Sequence, residues 1–94
     1  MILVRNSFIA KPGKAGQLAT HLKEMAVLGG LRNARVMTDL VGDFNTVVME
    51  HEVESAAEFE AHRAQYGSDP QIREKAGAYL DFWQTGKREL FRVV

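Results

Sequence analysis

Phe44-Asn45-Thr46-Val47-Val48-Met49-Glu50-His51-Glu52-Val53-Glu54-Ser55-Ala56-Ala57-Glu58 holds a strand, a stop and a helix start in succession. Residues 44–53 are rich in β-branched and apolar side chains, which suit a pleated, half-buried ribbon. Ser55 followed three residues later by Glu58 is a capping box, so a helix opens there. Upstream, Gly42-Asp43 is turn chemistry and joins a strand over residues 33–41 to the first as a hairpin. Downstream, the capped helix runs to about Tyr66, and Gly67-Ser68-Asp69 interrupts it. Pro70 suits the first turn of a new helix with Asp69 as its cap. Ile72, Ala76, Tyr79, Leu80 and Trp83 then share one helical face. Gly86 is expected to end that helix, with a closing strand over residues 88–94. At the other end, residues 2–10 read as a strand stopped by Lys11-Pro12-Gly13. Ala15, Leu18, Leu22, Met25 and Ala26 then repeat at helical spacing until Gly29-Gly30.

The order is β-α-β-β-α(α)-β, an α+β, ferredoxin-like arrangement: one four-stranded antiparallel sheet with helices on one face, in a single domain over residues 1–94. The 94 residues carry 46% apolar and 26% charged side chains, the balance of a soluble globular domain. Twelve Lys and Arg against twelve Asp and Glu leave no net charge, so the basic face needed for nucleic acid or acidic lipid is not expected. No apolar run approaches the length of a membrane span, and a cytoplasmic protein is expected. The absence of Cys excludes disulfides, zinc–thiolate sites and thiol nucleophiles. The first strand offers Ile2, Val4 and Phe8 on one face but Leu3 and Ile9 on the other. The third offers Phe44 and Val48 against Val47, Met49 and Val53. Both faces call for cover while helices supply only one, so a homodimer packing two sheets face to face is expected.

Few residues present themselves for chemistry. No glycine-rich phosphate loop and no G-x-S-x-G occurs. His21, His51 and His62 lack the spacing of a helical metal pair, and no metal is expected. Glu50 and Glu52 flank His51 but point to the opposite face of a strand. His62 lies three residues after Phe59 and four before Tyr66, so the three share one side of the short helix, facing the sheet. An imidazole there serves either as a half-buried, hydrogen-bonded group or as a ligand contact or general acid–base. His21 falls on the polar side of the first helix and is expected to be solvated. Asn6 interrupts an apolar strand face between Val4 and Phe8. A buried amide demands a partner, which is a neighbouring group, water or a ligand. Trp83, at the end of the last helix, packs in the core or walls an apolar cavity.

The passage Glu50-His51-Glu52-Val53-Glu54-Ser55-Ala56-Ala57-Glu58-Phe59-Glu60-Ala61-His62 resembles the strand-to-capped-helix passage of antibiotic biosynthesis monooxygenase-like proteins. Asp69-Pro70-Gln71-Ile72 is similar to the equivalent passage of NIPSNAP-like relatives. Both groups belong to the dimeric α+β barrel superfamily. The resemblance implies a homodimer with a pocket between sheet and helices, and cofactor-independent oxygenation of a small aromatic or polyketide-type molecule. Asn6 matches the first-strand Asn of the haem-degrading branch, and His62 the helix His of the monooxygenase-like branch. Residues 70–78 contain no histidine where the haem branch has its axial ligand, so no cofactor is expected. Under this resemblance His62 and Asn6 are the catalytic candidates, and Phe59, Tyr66 and Trp83 the substrate-binding ones. The alternative is a non-catalytic dimer that holds a small apolar or aromatic ligand.

Overall fold

The computed structural model describes residues 1–94, the side chain of Ala78 excepted. The elements follow in the order β1 (Ile2–Ala10), α1 (Ala15–Leu28), β2 (Arg32–Thr38), β3 (Thr46–Val53), α2 (Ala56–Ser68), α3 (Pro70–Tyr79) and β4 (Trp83–Arg92). The strands form one antiparallel sheet in the order β2-β3-β1-β4. The predicted α+β, ferredoxin-like class is the observed one. No helix among the described residues is long and apolar enough to cross a membrane.

Local chemistry accounts for the boundaries. The Ser55 hydroxyl accepts from the Glu58 amide at 3.2 Å, while the Glu58 carboxylate reaches back to the Glu54 amide at 2.7 Å. Asp69 accepts from the Gln71 amide at 2.9 Å and so starts α3. Three expectations are corrected. Strand β3 begins at Thr46 rather than at 44, because Asn45 adopts a left-handed φ of 65° and the Thr46 amide turns back to Asp39 Oδ1 at 3.0 Å. Phe44 is therefore no strand residue but an exposed loop side chain. Strand β2 ends at Thr38, where Asp39 opens that same turn, rather than running to 41. The last helix stops at Tyr79, since the Phe82 amide bonds the Tyr79 carbonyl at 3.0 Å and Trp83 pairs with Ala10 as the first residue of β4. Gly86 lies inside that strand: a Cβ there would stand 3.0 Å from the Phe8 ring.

Alternation sends Val4, Asn6, Phe8 and Ala10 of β1 and Val47, Met49, His51 and Val53 of β3 toward the helices. Helix α1 covers them with Leu18, His21, Leu22, Met25 and Ala26, the i, i+3, i+4, i+7, i+8 stripe of a core-facing helix. Leu18 and Val47 are fully enclosed at the centre of this core. No residue of α2 is buried. That helix stands away from the sheet and leaves a gap beneath it.

The opposite face of the sheet is mixed rather than uniformly apolar. At its centre Glu50, with a side chain only 4% exposed, accepts from Arg5 Nε at 2.6 Å and from Arg35 Nη2 at 2.7 Å. Hydrogen bonds from Arg35 and then Arg5 hold its carboxyl below the ordinary range against the opposing cost of burial. Leu3, Ile9, Met37, Val48 and Phe91 surround this ion triad by register.

Candidate functional site

The gap between α2 and the sheet is a cavity of about 260 Å³. Its floor is the inner sheet face at Val4, Asn6, Phe8, Met49 and His51; α1 contributes His21, Leu22 and Met25; α2 closes it with Phe59, His62, Arg63 and Tyr66. The volume lies just below the usual range of ligand pockets and, with this lining, suits an aromatic molecule of up to three fused rings.

The structure brings Asn6, Phe59, His62 and Tyr66 together as the helical and strand periodicities predict. Asn6 is 5% exposed, and its Oδ1 accepts from Arg88 Nε at 2.7 Å. The partner that a buried amide demands is thus the residue opposite it on β4. The Arg88 guanidinium also lies 5.5 Å from the centre of the Phe59 ring. Tyr66 donates a long bond, 3.4 Å, to the Met25 carbonyl, which ties α2 to the end of α1. Burial raises the Tyr66 and Tyr79 phenols above their usual value, against the Arg88 charge, so both remain donors.

Two histidines stand elsewhere than their sequence neighbours suggest. His51 faces the cavity, with its ring centre 6.4 Å from that of His62. The Nδ1 atoms of both are buried and have no hydrogen-bond partner. Burial chiefly, then the charges of His62 and Arg88, hold His51 below the ordinary imidazole range. His21 is 8% exposed rather than solvated. It stacks on Tyr79 at 5.5 Å, because it occupies the inward stripe three residues after Leu18. Trp83 does not line the cavity. It packs behind it against Phe8 and Tyr79, at 5.4 and 5.8 Å. Among the described residues, no group of three or more His, Cys, Asp or Glu comes close enough to hold a metal ion.

The buried imidazoles make stability depend on pH. Burial is the first cause that lowers the affinity of His21 and His51 for protons in the folded state. As the pH falls through about 6.5 the unfolded chain takes up protons that the native state refuses. The stabilisation is complete above that pH and is lost toward the lower folded-state values. Glu50 acts separately, its contribution being lost only further into acid. The urea midpoint is expected to hold between about pH 8 and 7 and to fall as the pH drops below about 6.5. Exchange of His21 and His51 for Gln should flatten that fall; an unchanged slope would remove burial as its cause.

No protein-family model matches the sequence, and no curated protein does. Solved structures do match. An uncharacterised NIPSNAP domain protein from Burkholderia xenovorans superimposes with a TM-score of 0.86 at 14% identity, over 100% of this chain and 95% of the other. A NIPSNAP family protein from Agrobacterium tumefaciens gives 0.85 at 12% identity, over 99% and 92%. The chain shares the fold of these two proteins. A candidate antibiotic biosynthesis monooxygenase from Chloroflexus aurantiacus shares it at a TM-score of 0.78 and 16% identity, over 99% and 92%. This shared fold, a sheet half-covered by helices, is the frame that opens the cavity under α2.

Proposed function

We propose that the cavity binds a small aromatic molecule with an ionisable hydroxyl and promotes its oxygenation without a cofactor. The observation that carries this reading is the pair of unpartnered imidazoles, His51 and His62, side by side in an apolar-walled space. A buried polar atom without a partner costs free energy, which a polar ligand group in the cavity relieves. His62 takes the proton of the bound hydroxyl as general base, and His51 stays neutral beside it. Asn6 and Arg88 face the resulting anion. Phe59 and Tyr66 hold the ring, and Trp83 stiffens the wall behind Phe8. Deprotonation makes the ring electron-rich enough to reduce dioxygen directly. For an anthrone, reacting through its phenolic tautomer, the ring CH₂ becomes C=O. One oxygen atom enters the product and the other leaves as water with the two displaced hydrogens. All four electrons come from the substrate carbon, so no external reductant is required.

The test is oxygen uptake with anthrone. The expected result is consumption above the protein-free rate, one dioxygen per anthrone, and one labelled atom in the quinone from isotopic dioxygen. Binding of anthrone with uptake at the background rate would leave the second reading, a non-catalytic binding protein.

The same proposal includes a second copy of the chain on the open sheet face. Met37 and Phe91 are 37% and 41% exposed there, beside Leu3, Ile9 and Val48, and only the helical side of the sheet has cover. Sedimentation at micromolar concentration is expected to give a dimer. Val48→Lys, at the centre of the face between Ser7 and Met37, should give a folded monomer. A wild-type single subunit would remove the dimer.

A further inference from the structure

The charges around the cavity are segregated. The chain as a whole balances twelve cations with twelve anions. The cavity lining holds Arg63, Arg88, His21, His51 and His62, with no Asp or Glu among the described residues. Arg5, Arg32, Arg35 and Arg63 each pair with a carboxylate, whereas Arg88 forms no ion pair among the described residues. Its partner is instead the neutral amide of Asn6, on Nε. Aspartate at position 6 would hold the guanidinium equally well and cancel its charge. Asparagine orients the group and leaves the charge standing. Stacking on Phe59, at 5.5 Å for Arg88 and 5.9 Å for Arg63, brings both guanidinium groups to one ring at the cavity wall. The Arg88 charge is felt at His51, Tyr66 and Tyr79.

We infer that the ligand is an aromatic acid whose carboxylate pairs with the terminal nitrogens of Arg88, its ring lying against Phe8 and Met49. A guanidinium fixed at Nε presents two parallel donors, the geometry that a planar carboxylate meets in bidentate fashion. A ligand that carries no anionic group leaves this cation to water alone, whereas a carboxylate supplies the missing ion pair. The inference rests on the cavity being a small-molecule site and adds the chemical class of what enters it.

The experiment compares two probes of equal shape, 2-naphthoate and 2-naphthamide, titrated into the full chain at pH 7.5 by calorimetry. Naphthoate is expected to bind wild type about tenfold or more tightly than the amide. Arg88→Gln should abolish that preference, as should Asn6→Asp, which sets a carboxylate against Arg88 with little change of shape. Arg63→Gln should retain most of it, because Arg63 already pairs with Glu60 at 3.3 Å. Equal affinity of the two probes for wild type would overturn the inference while keeping the cavity as a ligand site. Persistence of the preference in a folded Arg88→Gln chain would also overturn it. Failure of both probes to bind at millimolar concentration would remove the cavity reading and the inference with it.

Discussion

His62→Gln is expected to slow anthrone oxygenation by about 10²–10⁴-fold, the usual contribution of a positioned general base. Glutamine keeps a donor and an acceptor at the position but cannot carry the proton. The loss should therefore fall on kcat, with affinity for 2-naphthoate changed only a few-fold. The reason lies in the pairing of the two rings. A proton on His62 opposes one on His51, whose affinity is already depressed by burial and by Arg88. His62, on the half-buried helix wall, lines the cavity from the side where the bound hydroxyl meets it. Substitution on α2 leaves the core residues Leu18, Leu22 and Val47 untouched, so folding is not at issue. Oxygen uptake by His62→Gln equal to that of wild type would remove this residue from the chemistry.

The elements set by local chemistry are readable from the chain. Ser55, Glu58 and Asp69 cap their helices in the structure because capping is satisfied within a few residues. The Phe59–His62–Tyr66 face is legible for the same reason, since helical spacing alone aligns it. Trp83 misleads because it continues the spacing of Ile72, Ala76 and Leu80. The turn closed from Phe82 to Tyr79, and the pairing of Trp83 with Ala10, outweigh that periodicity. His51 could have been found: it alternates with Val47, Met49 and Val53 on one strand face. The acidic neighbours Glu50 and Glu52 conceal an inward position. His21 likewise sits on the stripe of Leu18, Leu22 and Met25, where a polar residue reads as solvated unless an aromatic partner is known. Tyr79 is that partner, fifty-eight residues away in sequence. Arg88 is out of reach of any local rule. Its role follows from the Asn6–Arg88 register across β1 and β4, which only the folded sheet defines.

Leu18→Ala tests the frame on which the cavity depends. Leu18 is fully enclosed against Ala10, Leu22 and Val47, and truncation there should cost about 3–5 kcal/mol, because lost transfer energy and an unfilled cavity add. A domain of this size has about 5–14 kcal/mol in all, so the variant keeps only part of its stability. Each kcal/mol lost lowers the midpoint by about 4–8 °C, which puts the expected fall at roughly 12–40 °C. Val27, on the same helix but 81% exposed, is the control, and Val27→Ala should stay within about 0.5 kcal/mol of wild type. The contrast extends to binding. Leu18 fixes the face of α1 that carries His21, Leu22 and Met25 into the cavity wall, so at temperatures where Leu18→Ala remains folded its affinity for 2-naphthoate should also fall. If Leu18→Ala and Val27→Ala melted together, α1 would not be docked on the sheet by this stripe. The cavity would then lose one of the walls that define it.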